Sequence, residues 1–331
     1  MSMKKVTSME KVTSMEKVTP MEKVTPMKKV TSQKVKPMKM KKSPQDRFVD
    51  FCIHVIAVLL ILAVIYPLWF IIIASFSNPA DVANGKVWLW PKRWVLDGYL
   101  QLFRQSAIWR SYANTIIYTA TGTLFALFVN ITAGYAMSRK DMAGRKWINI
   151  FYIIPMFISG GLIPIYLVVK EFNLIDSFWV MIVPFSVSIY NIIVARTFFS
   201  TSLPEGLWES AQIDGCGTIR YFLQFVIPLS KAIIAVIGLW TAVGIWNSWF
   251  NALIYLQNEN LQPLQLLLRR ILISNQSLLG AASGEMASEL RRLSDMMKYA
   301  SIVISTIPIM CLYPFLQKYF NQGVMIGAIK E

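Results

Sequence analysis

The side chains that most often do chemistry are scarce in this sequence and poorly placed for it. Its 331 residues include one histidine, His54, and three isolated cysteines, Cys52, Cys216 and Cys311. A disulfide framework or metal cage needs such groups clustered, so no metal and no cofactor is expected. His54 opens an apolar stretch and reads as an interfacial residue rather than a proton relay. Asp, Glu, Lys and Arg are absent from six stretches, 51–80, 111–138, 147–169, 177–195, 232–258 and 299–317. Those stretches therefore offer neither a carboxylate pair for acid–base catalysis nor a chain of ionisable groups. Their polar chemistry is neutral: Asn114, Tyr118 and Asn130 in the second, Tyr190 and Asn191 in the fourth, and Trp246, Asn247, Trp249, Asn251 and Tyr255 in the fifth. In an apolar setting such groups either face a watery cavity or bond helix to helix. Asn247 and Asn251, four residues apart, would share one helix face, extended by Trp240 and Gly244.

The elements that must hold these residues follow from the charge-free lengths, which are 30, 28, 23, 19, 27 and 19 residues. About 20 apolar residues at ~1.5 Å rise cross a hydrocarbon core, so each stretch can hold one spanning helix. Backbone in lipid must satisfy its own hydrogen bonds, and the short alternating segments of a β-barrel are missing. With 55% apolar residues, 15% charged residues and a mean hydropathy of +0.48, the chain reads as all-α and multi-pass in the cell membrane. The expected spans run over about 51–76, 111–138, 147–169, 177–198, 232–256 and 299–317, within a membrane domain at 46–331.

The formal charge of +15 does not point to nucleic acid, because residues 1–47 alone contribute +9. Met3 to Ser32 is five copies of a hexad, MKKVTS, MEKVTS, MEKVTP, MEKVTP and MKKVTS. This tail, 1–45, has no aromatic residue and cannot bury a core, so it is expected to be disordered. It is read either as a basic arm near anionic lipid headgroups or as a tail of no consequence. Lysine and arginine placement sets the orientation. Four positive charges in the eight residues 139–146 mark that loop as cytoplasmic, which puts both termini inside. The outer loop 81–110 carries Trp88, Trp90 and Trp94, suited to a membrane interface. The outer loop 259–298 is long enough for short helices, with Glu285, Glu289, Arg291 and Arg292 spaced as intrahelical pairs.

The cytoplasmic connection 199–230 is longer than a turn requires. Ser202-Leu203-Pro204-Glu205 predicts a capping box, with Ser202 as N-cap. Leu207, Ala211 and Ile213 would follow on a short helix, broken at Gly215 and Gly217, where glycine can take a positive φ. Thr218 would cap a second helix with Ile219, Phe222, Leu223 and Val226 on its apolar face, and Pro228 leads into the fifth span. A compact helical hairpin on the inner surface implies a cytoplasmic partner.

Glu209-Ser210-Ala211, Gly215 four positions on, and Phe225-Val226-Ile227-Pro228 after nine intervening residues resemble the EAA loop of bacterial ABC importer permeases. The family pattern is Glu-Ala-Ala, three residues, Gly, nine residues, then Ile-x-Leu-Pro. Ser210, Phe225 and Ile227 depart mildly from it, while Asp214-Gly215 and the place before the penultimate span agree. Asn114-Thr115, Ser159-Gly160-Gly161-Leu162-Ile163-Pro164, Trp246-Asn247-x-Trp249 and Gly323-Val324-Met325-Ile326-Gly327-Ala328 resemble the carbohydrate-uptake branch. Within it they are similar to the second permease of systems importing complex oligosaccharides or uronate-containing polysaccharide fragments.

The resemblance implies a type I ABC importer permease fold and alternating access, a rigid-body switch between inward- and outward-open states. It implies four kinds of partner: a second homologous permease, two cytoplasmic ATPases, an extracytoplasmic solute-binding protein and a sugar or oligosaccharide. Glu209, Ser210, Ala211, Asp214, Gly215 and Pro228 would couple to the ATPase. Asn247, Asn251, Trp246, Tyr190, Asn191 and Asn114 would line the sugar path, since amides, hydroxyls and aromatic rings are what sugars bind. No Gly-x-x-x-x-Gly-Lys-Ser/Thr loop is present, so the chain is not itself an enzyme that hydrolyses ATP. A permease for amino acids, peptides or metals would carry the same loop and is distinguished by the sugar-branch motifs. A channel or secondary transporter would need inverted repeats or buried ionisable groups. A membrane enzyme would need clustered histidines or carboxylates.

Overall fold

The computed structural model describes residues 44–158, 160–281 and 285–328, so the hexad tail and Ser159 lie outside the described residues. The chain divides into two units, Met1–Val58 and Leu59–Glu331, and helix α1 (Pro44–Ser75) runs through the division. In the first unit, His54 Nδ1 lies 2.6 Å from the carbonyl of Asp50, one turn back. The rest of the molecule is built from α2 (Pro79–Ala83), α3 (Asp97–Arg104), α4 (Ser106–Ser138), α5 (Arg145–Phe157) and α6 (Leu162–Glu171). It continues through α7 (Ile189–Ser202), α8 (Glu205–Ile213), α9 (Thr218–Tyr221), α10 (Ile227–Leu229) and α11 (Lys231–Trp246). It closes with α12 (Trp249–Tyr255), α13 (Leu264–Ala281) and α14 (Glu285–Ala328). Among the described residues there is no strand, only an isolated antiparallel bridge between Ser77 and Trp94.

Two helices, Gln45–Ser75 and Ser106–Ser138, are long and apolar enough to cross a membrane among the described residues. Up to four segments qualify by length and composition if each of two bent helix pairs counts as one. The expectation of unbroken spans is corrected at three stretches. The third is split into α5 and α6, inclined at 118°, and Gly161 at the break takes φ +80°. The fourth is a 3₁₀ turn, Phe178–Met181, followed by irregular chain and only then α7. The fifth stops at Trp246 and restarts at Trp249.

Long-range polar contacts make these breaks tolerable. Non-helical backbone at membrane depth survives only where neighbouring groups satisfy it. Asn130, fully buried on α4, donates through Nδ2 to Ser186 O at 2.7 Å, and its Oδ1 accepts from Ser188 N at 2.9 Å. One side chain thus serves both an acceptor and a donor of the irregular 182–188 segment. Further along, Tyr118 Oη donates to Leu261 O at 2.9 Å, and Thr115 Oγ1 accepts from Leu264 N at 2.7 Å.

Helix α4 is the hub, packed against α7 on one side and α11 on another. Apolar side chains gain little by leaving lipid for one another, so close backbone approach is what holds such helices. Gly134 shows this. A Cβ there would stand 2.6 Å from Ala195 Cβ and 3.1 Å from Ile192 O, a separation only glycine allows. Ile131 and Tyr135 of α4 then join Ala195 and Phe199 of α7, Ala211 of α8, Tyr221 and Val226 beyond it, and Ile233 and Ile237 of α11 in one buried cluster. This cluster is the platform on which α8 rests.

The two segments expected to be outer loops have the following local structure. Trp88, Trp90 and Trp94 are each more than two-thirds exposed. They sit on a loop pinned by Arg93, which donates to both carboxylate oxygens of Asp81 at 3.0 and 3.2 Å. Those bonds hold the Asp81 carboxyl below the usual carboxylate range. Segment 259–298 forms a 3₁₀ turn, Glu259–Leu261, then α13 and the first turns of α14. Arg292 pairs with Glu289 at 3.6 Å and with Asp97 at 3.8 Å, while the side chain of Glu285 lies outside those described.

Candidate functional site

Two regions gather the residues expected to act. The first is the α8 hairpin. Its amino-terminal signal differs from the capping box: Ser202 is the last residue of α7, and Pro204 occupies the N-cap of α8 with no side-chain cap bond. The reason is Pro204 itself, which disfavours helical backbone in the residue before it; Leu203 is extended at φ −102° and ψ 111°. Glu205 is therefore free to pair outward, with Lys140 of the α4–α5 loop. Thr218 is likewise the first helical residue of α9 rather than its cap, which is Gly217.

The carboxy-terminal signal is as expected. Asp214 is the C-cap of α8, and Gly215 takes φ +73°. Gly215 N donates to Gln212 O at 3.0 Å and Cys216 N to Ala211 O at 2.8 Å, the paired bonds of a Schellman motif. Gly217, by contrast, has φ −72° and needs no glycine on that account. Beyond it the helix is irregular. Pro228 supplies no N–H, so the carbonyl four residues back loses its usual partner. The backbone there adopts a π segment, Phe222–Val226, with Ile227 N–H bonded to Phe222 O. An 80° bend then separates Thr218–Leu229 from α11.

One face of this hairpin is fixed and the other is bare. Ala211 is buried, and Trp208 meets Tyr221 edge-on at 4.9 Å between ring centroids; Ser210 is exposed, its Oγ bonded within the helix to Gly206 O at 2.8 Å. Glu209 and Asp214 are exposed, as are Ile213 at 87% and Ile219 at 77%. Ile213, Ile219 and Leu223 face outward, so the expected apolar face of Ile219, Phe222, Leu223 and Val226 is divided; Phe222 and Val226 pack inward. The α4–α5 loop, read from sequence only for its charge, braces the hairpin. The Arg139 guanidinium lies 4.1 Å from the Trp208 ring centroid and forms a two-pronged pair with Asp141 at 3.0 and 2.7 Å. Those bonds hold the Asp141 carboxyl below its ordinary range. Between loop and hairpin opens a cleft of about 650 Å³, with Arg139, Lys140 and Arg145 on one wall and Glu205, Glu209 and Gln212 on the other. The positive run at 139–146 and the acidic residues of α8 were the signal for this brace.

The second region is a cavity of about 440 Å³ between the 182–188 segment, α7, α11 and α12. Tyr190, Asn191, Trp240, Gly244 and Asn251 line it together with Ser186, Ser188, Thr241 and Ser248. The rings of Tyr190 and Trp240 are 5.6 Å apart and inclined by 41°, both partly exposed. The four serine and threonine residues were not singled out from sequence; Ser186 and Ser188 lie on irregular chain where the fourth stretch is broken, and Thr241 and Ser248 come from the fifth.

Three expected path residues stand elsewhere. Asn247 is the C-cap of α11, exposed, with Nδ2 bonded to Val243 O at 2.9 Å and Oδ1 accepting from Gln265 Nε2 at 3.4 Å. The helix break behind it removes the single face it was to share with Asn251, which belongs to α12. An asparagine amide competing for backbone at such a point is a common helix terminator. Trp246 is buried and donates from Nε1 to Ser305 O of α14 at 3.0 Å. Asn114 donates to Asn260 O at 2.7 Å and Gln262 O at 3.2 Å, which commits both of its amide hydrogens. Trp249 lies under the Arg269 guanidinium at 3.6 Å, and Tyr255 is buried against Tyr166 and Phe185.

Comparison with known proteins places this geometry. Residues 122–326 match the family described as the binding-protein-dependent transport system inner membrane component. Protein LplC of Bacillus subtilis is 39% identical over 266 residues, covering 80% of this chain and 89% of that protein. The polygalacturonan/rhamnogalacturonan transport system permease protein YtcP of Bacillus subtilis is 36% identical over 286 residues, covering 86% and 99%. A bacterial ABC transporter involved in the import of the acidic polysaccharide alginate contains a chain of the same fold, at a TM-score of 0.77 and 30% identity over 85% of this chain and 99% of that one. With the family match spanning well over half its length, this chain belongs to the inner membrane components of binding-protein-dependent transport systems, as a multi-pass permease of the cell membrane that is not itself an enzyme.

Proposed function

We propose that the chain is one of two homologous permeases of an ATP-driven importer and passes a sugar or oligosaccharide through the cavity lined by Tyr190, Asn191, Trp240 and Asn251. The observation that carries this reading is the cavity's lining: an aromatic pair beside amides and hydroxyls, with no charged side chain. Aromatic rings cover the apolar faces of a sugar, and amides answer its hydroxyls. The polymers named for YtcP and for the alginate importer are of that chemical class. Asn247, Trp246 and Asn114 act around this path, holding the broken helices and the outer loop in place.

In this proposal residues 46–331 cross the membrane six times with both termini cytoplasmic, and 1–45 form a separate basic tail. Two cytoplasmic ATPases dock on the bare faces of the α8 hairpins, where Glu209, Asp214, Ile213 and Ile219 are presented. Ala211 holds the hairpin's inner side, Ser210 bonds back along its own helix, Gly215 makes the turn and Pro228 the exit. A binding protein delivers the sugar from outside. Closure of the ATPases tilts the hairpin, and the shared cluster beneath α8 carries the motion to α4, α7 and α11.

Two measurements test this. The chain, its partner permease and the ATPases, reconstituted in liposomes with the binding protein, are expected to accumulate a labelled oligosaccharide only with ATP. Accumulation of amino acids or peptides instead, or of nothing, would overturn the proposal. A fluorescent protein that matures only in the cytoplasm, fused after Glu331, is expected to be bright; a dark fusion with an active periplasmic reporter there rules out six crossings.

A further inference from the structure

A third cavity, of about 480 Å³, lies apart from both regions, where the start of α4 meets the Glu259–Leu261 turn, α13 and α14. That volume is within the range of about 300–1,000 Å³ usual for small-ligand sites. Its polar lining differs from that of the path: Gln101, Gln105, Arg110, Glu259, Gln262 and Arg270. In the proposed topology this region faces outward, so an incoming substrate would meet it before the path.

We infer that this cavity is an outer subsite for a carboxylate-bearing sugar residue, held by Arg270 and Arg110 with the amide of Gln262. This rests on the importer reading above and deepens it. The first observation is Gln262. Its side chain is 2% exposed, and among the described residues its Nε2 has no hydrogen-bond partner. An amide N–H so buried costs free energy unless something accepts its bond, and the cavity it lines is where an acceptor can come. The second is the charge. Two guanidiniums face one carboxylate there, which leaves an excess positive charge in the cavity.

Neither arginine is tightly engaged by that carboxylate. Arg270 Nη1 is 3.9 Å from Glu259 Oε1, longer than a hydrogen bond, and the Glu259 side chain is 87% exposed. Among the described residues Arg110 bonds the neutral Oδ1 of Asn260. A guanidinium presents parallel N–H groups that fit a carboxylate in a two-pronged pair, and such charge-assisted bonds are about twice as strong as neutral ones. An arriving uronate would take the place of the loosely held Glu259, while Gln101 and Gln105 meet its hydroxyls. A neutral sugar would find the amides but leave the guanidiniums without an anion.

The test uses the complete importer in lipid nanodiscs without binding protein. Binding of tetragalacturonate and of its methyl ester, the same sugar chain without charge, is measured by calorimetry. The wild type is expected to prefer the acid by about tenfold or more, as charge-assisted pairing implies. Arg270→Gln should erase most of that preference, Arg270→Lys should retain part of it, and Glu259→Gln should strengthen binding of the acid. Gln262→Leu should weaken both ligands several-fold while the melting temperature holds or rises, because no partner within the protein is lost. A wild type that binds neither ligand or binds both equally overturns the inference. So does an unchanged preference in Arg270→Gln. ATP-driven uptake by the same proteins, reconstituted in liposomes with the binding protein, separates the two readings. An importer that moves oligosaccharides without regard to charge loses this subsite alone, and one that moves none loses its proposed function as well.

Discussion

Gly215→Val is expected to reduce ATP-driven uptake to background while the protein remains in the membrane at normal abundance. The cause is conformational, not steric: nothing stands within 4 Å of where a Cβ would go, yet φ is +73°. A left-handed residue with a side chain costs about 1–2 kcal/mol, and more when branched at Cβ. The turn can relieve that strain only by giving up the Gly215–Gln212 and Cys216–Ala211 bonds, which would swing Glu209, Ile213 and Asp214 away from the docking direction. Gly215→Asn should keep most activity, since asparagine enters this region readily, and Gly215→Ala should fall between. Glu209→Lys should be as severe as valine for another reason. It adds a positive charge to a cleft already walled by Arg139, Lys140 and Arg145 and reverses the sign offered to the ATPase. ATP hydrolysis and uptake, measured together in liposomes, decide the matter. Normal transport by both Gly215→Val and Glu209→Lys would remove the hairpin's role as a coupling element.

Asn251→Leu is expected to raise the half-saturating oligosaccharide concentration by ten- to a hundredfold with assembly intact. A sugar hydroxyl left without its partner in a confined space costs about 1–3 kcal/mol, and ~1.4 kcal/mol is a factor of ten. Trp240→Ala should act similarly through loss of the ring beside Tyr190. Asn247→Leu should have a smaller effect on affinity, because its amide is bonded to Val243 and Gln265 outside the cavity. Equal effects of Asn247→Leu and Asn251→Leu would return the path to a continuous fifth helix, and normal kinetics in Asn251→Leu would remove it from this cavity.

The local backbone was largely legible from residue types. Gly215 announced its turn because few other residues take that φ; Pro228 reads in sequence only as the lead into the fifth span, although its missing N–H is what disturbs the helix before it. The breaks in the fourth and fifth stretches were not legible, because what permits them is remote in sequence. Asn130 serves Ser186 and Ser188, more than fifty positions away, and no window of hydropathy contains both partners. The same blindness affected the site. Asn251, Tyr190 and Asn191 could be nominated as polar groups in apolar runs, but so could Asn114 and Trp246, which proved to hold loop and helix backbone. Period and composition rank such residues alike; only the partner distinguishes them. At Ser202 two local rules competed, a serine four residues before an apolar run and a proline that ends the preceding helix, and the proline prevailed.

The π segment at Phe222–Val226 bears on how chains of this kind are aligned with one another. A π turn is an α-helix with one residue inserted, and each residue advances a helix by about 100°. The nine residues between Gly215 and Phe225 therefore contain a phase shift as well as a length. A chain one residue shorter there could still form a regular helix from hairpin to Pro228, but it would present a neighbouring face of α11 to the bundle. Spacing in this stretch works like a reading frame: two sequences may agree residue for residue on both sides of a single deletion and still point different side chains at the same partner.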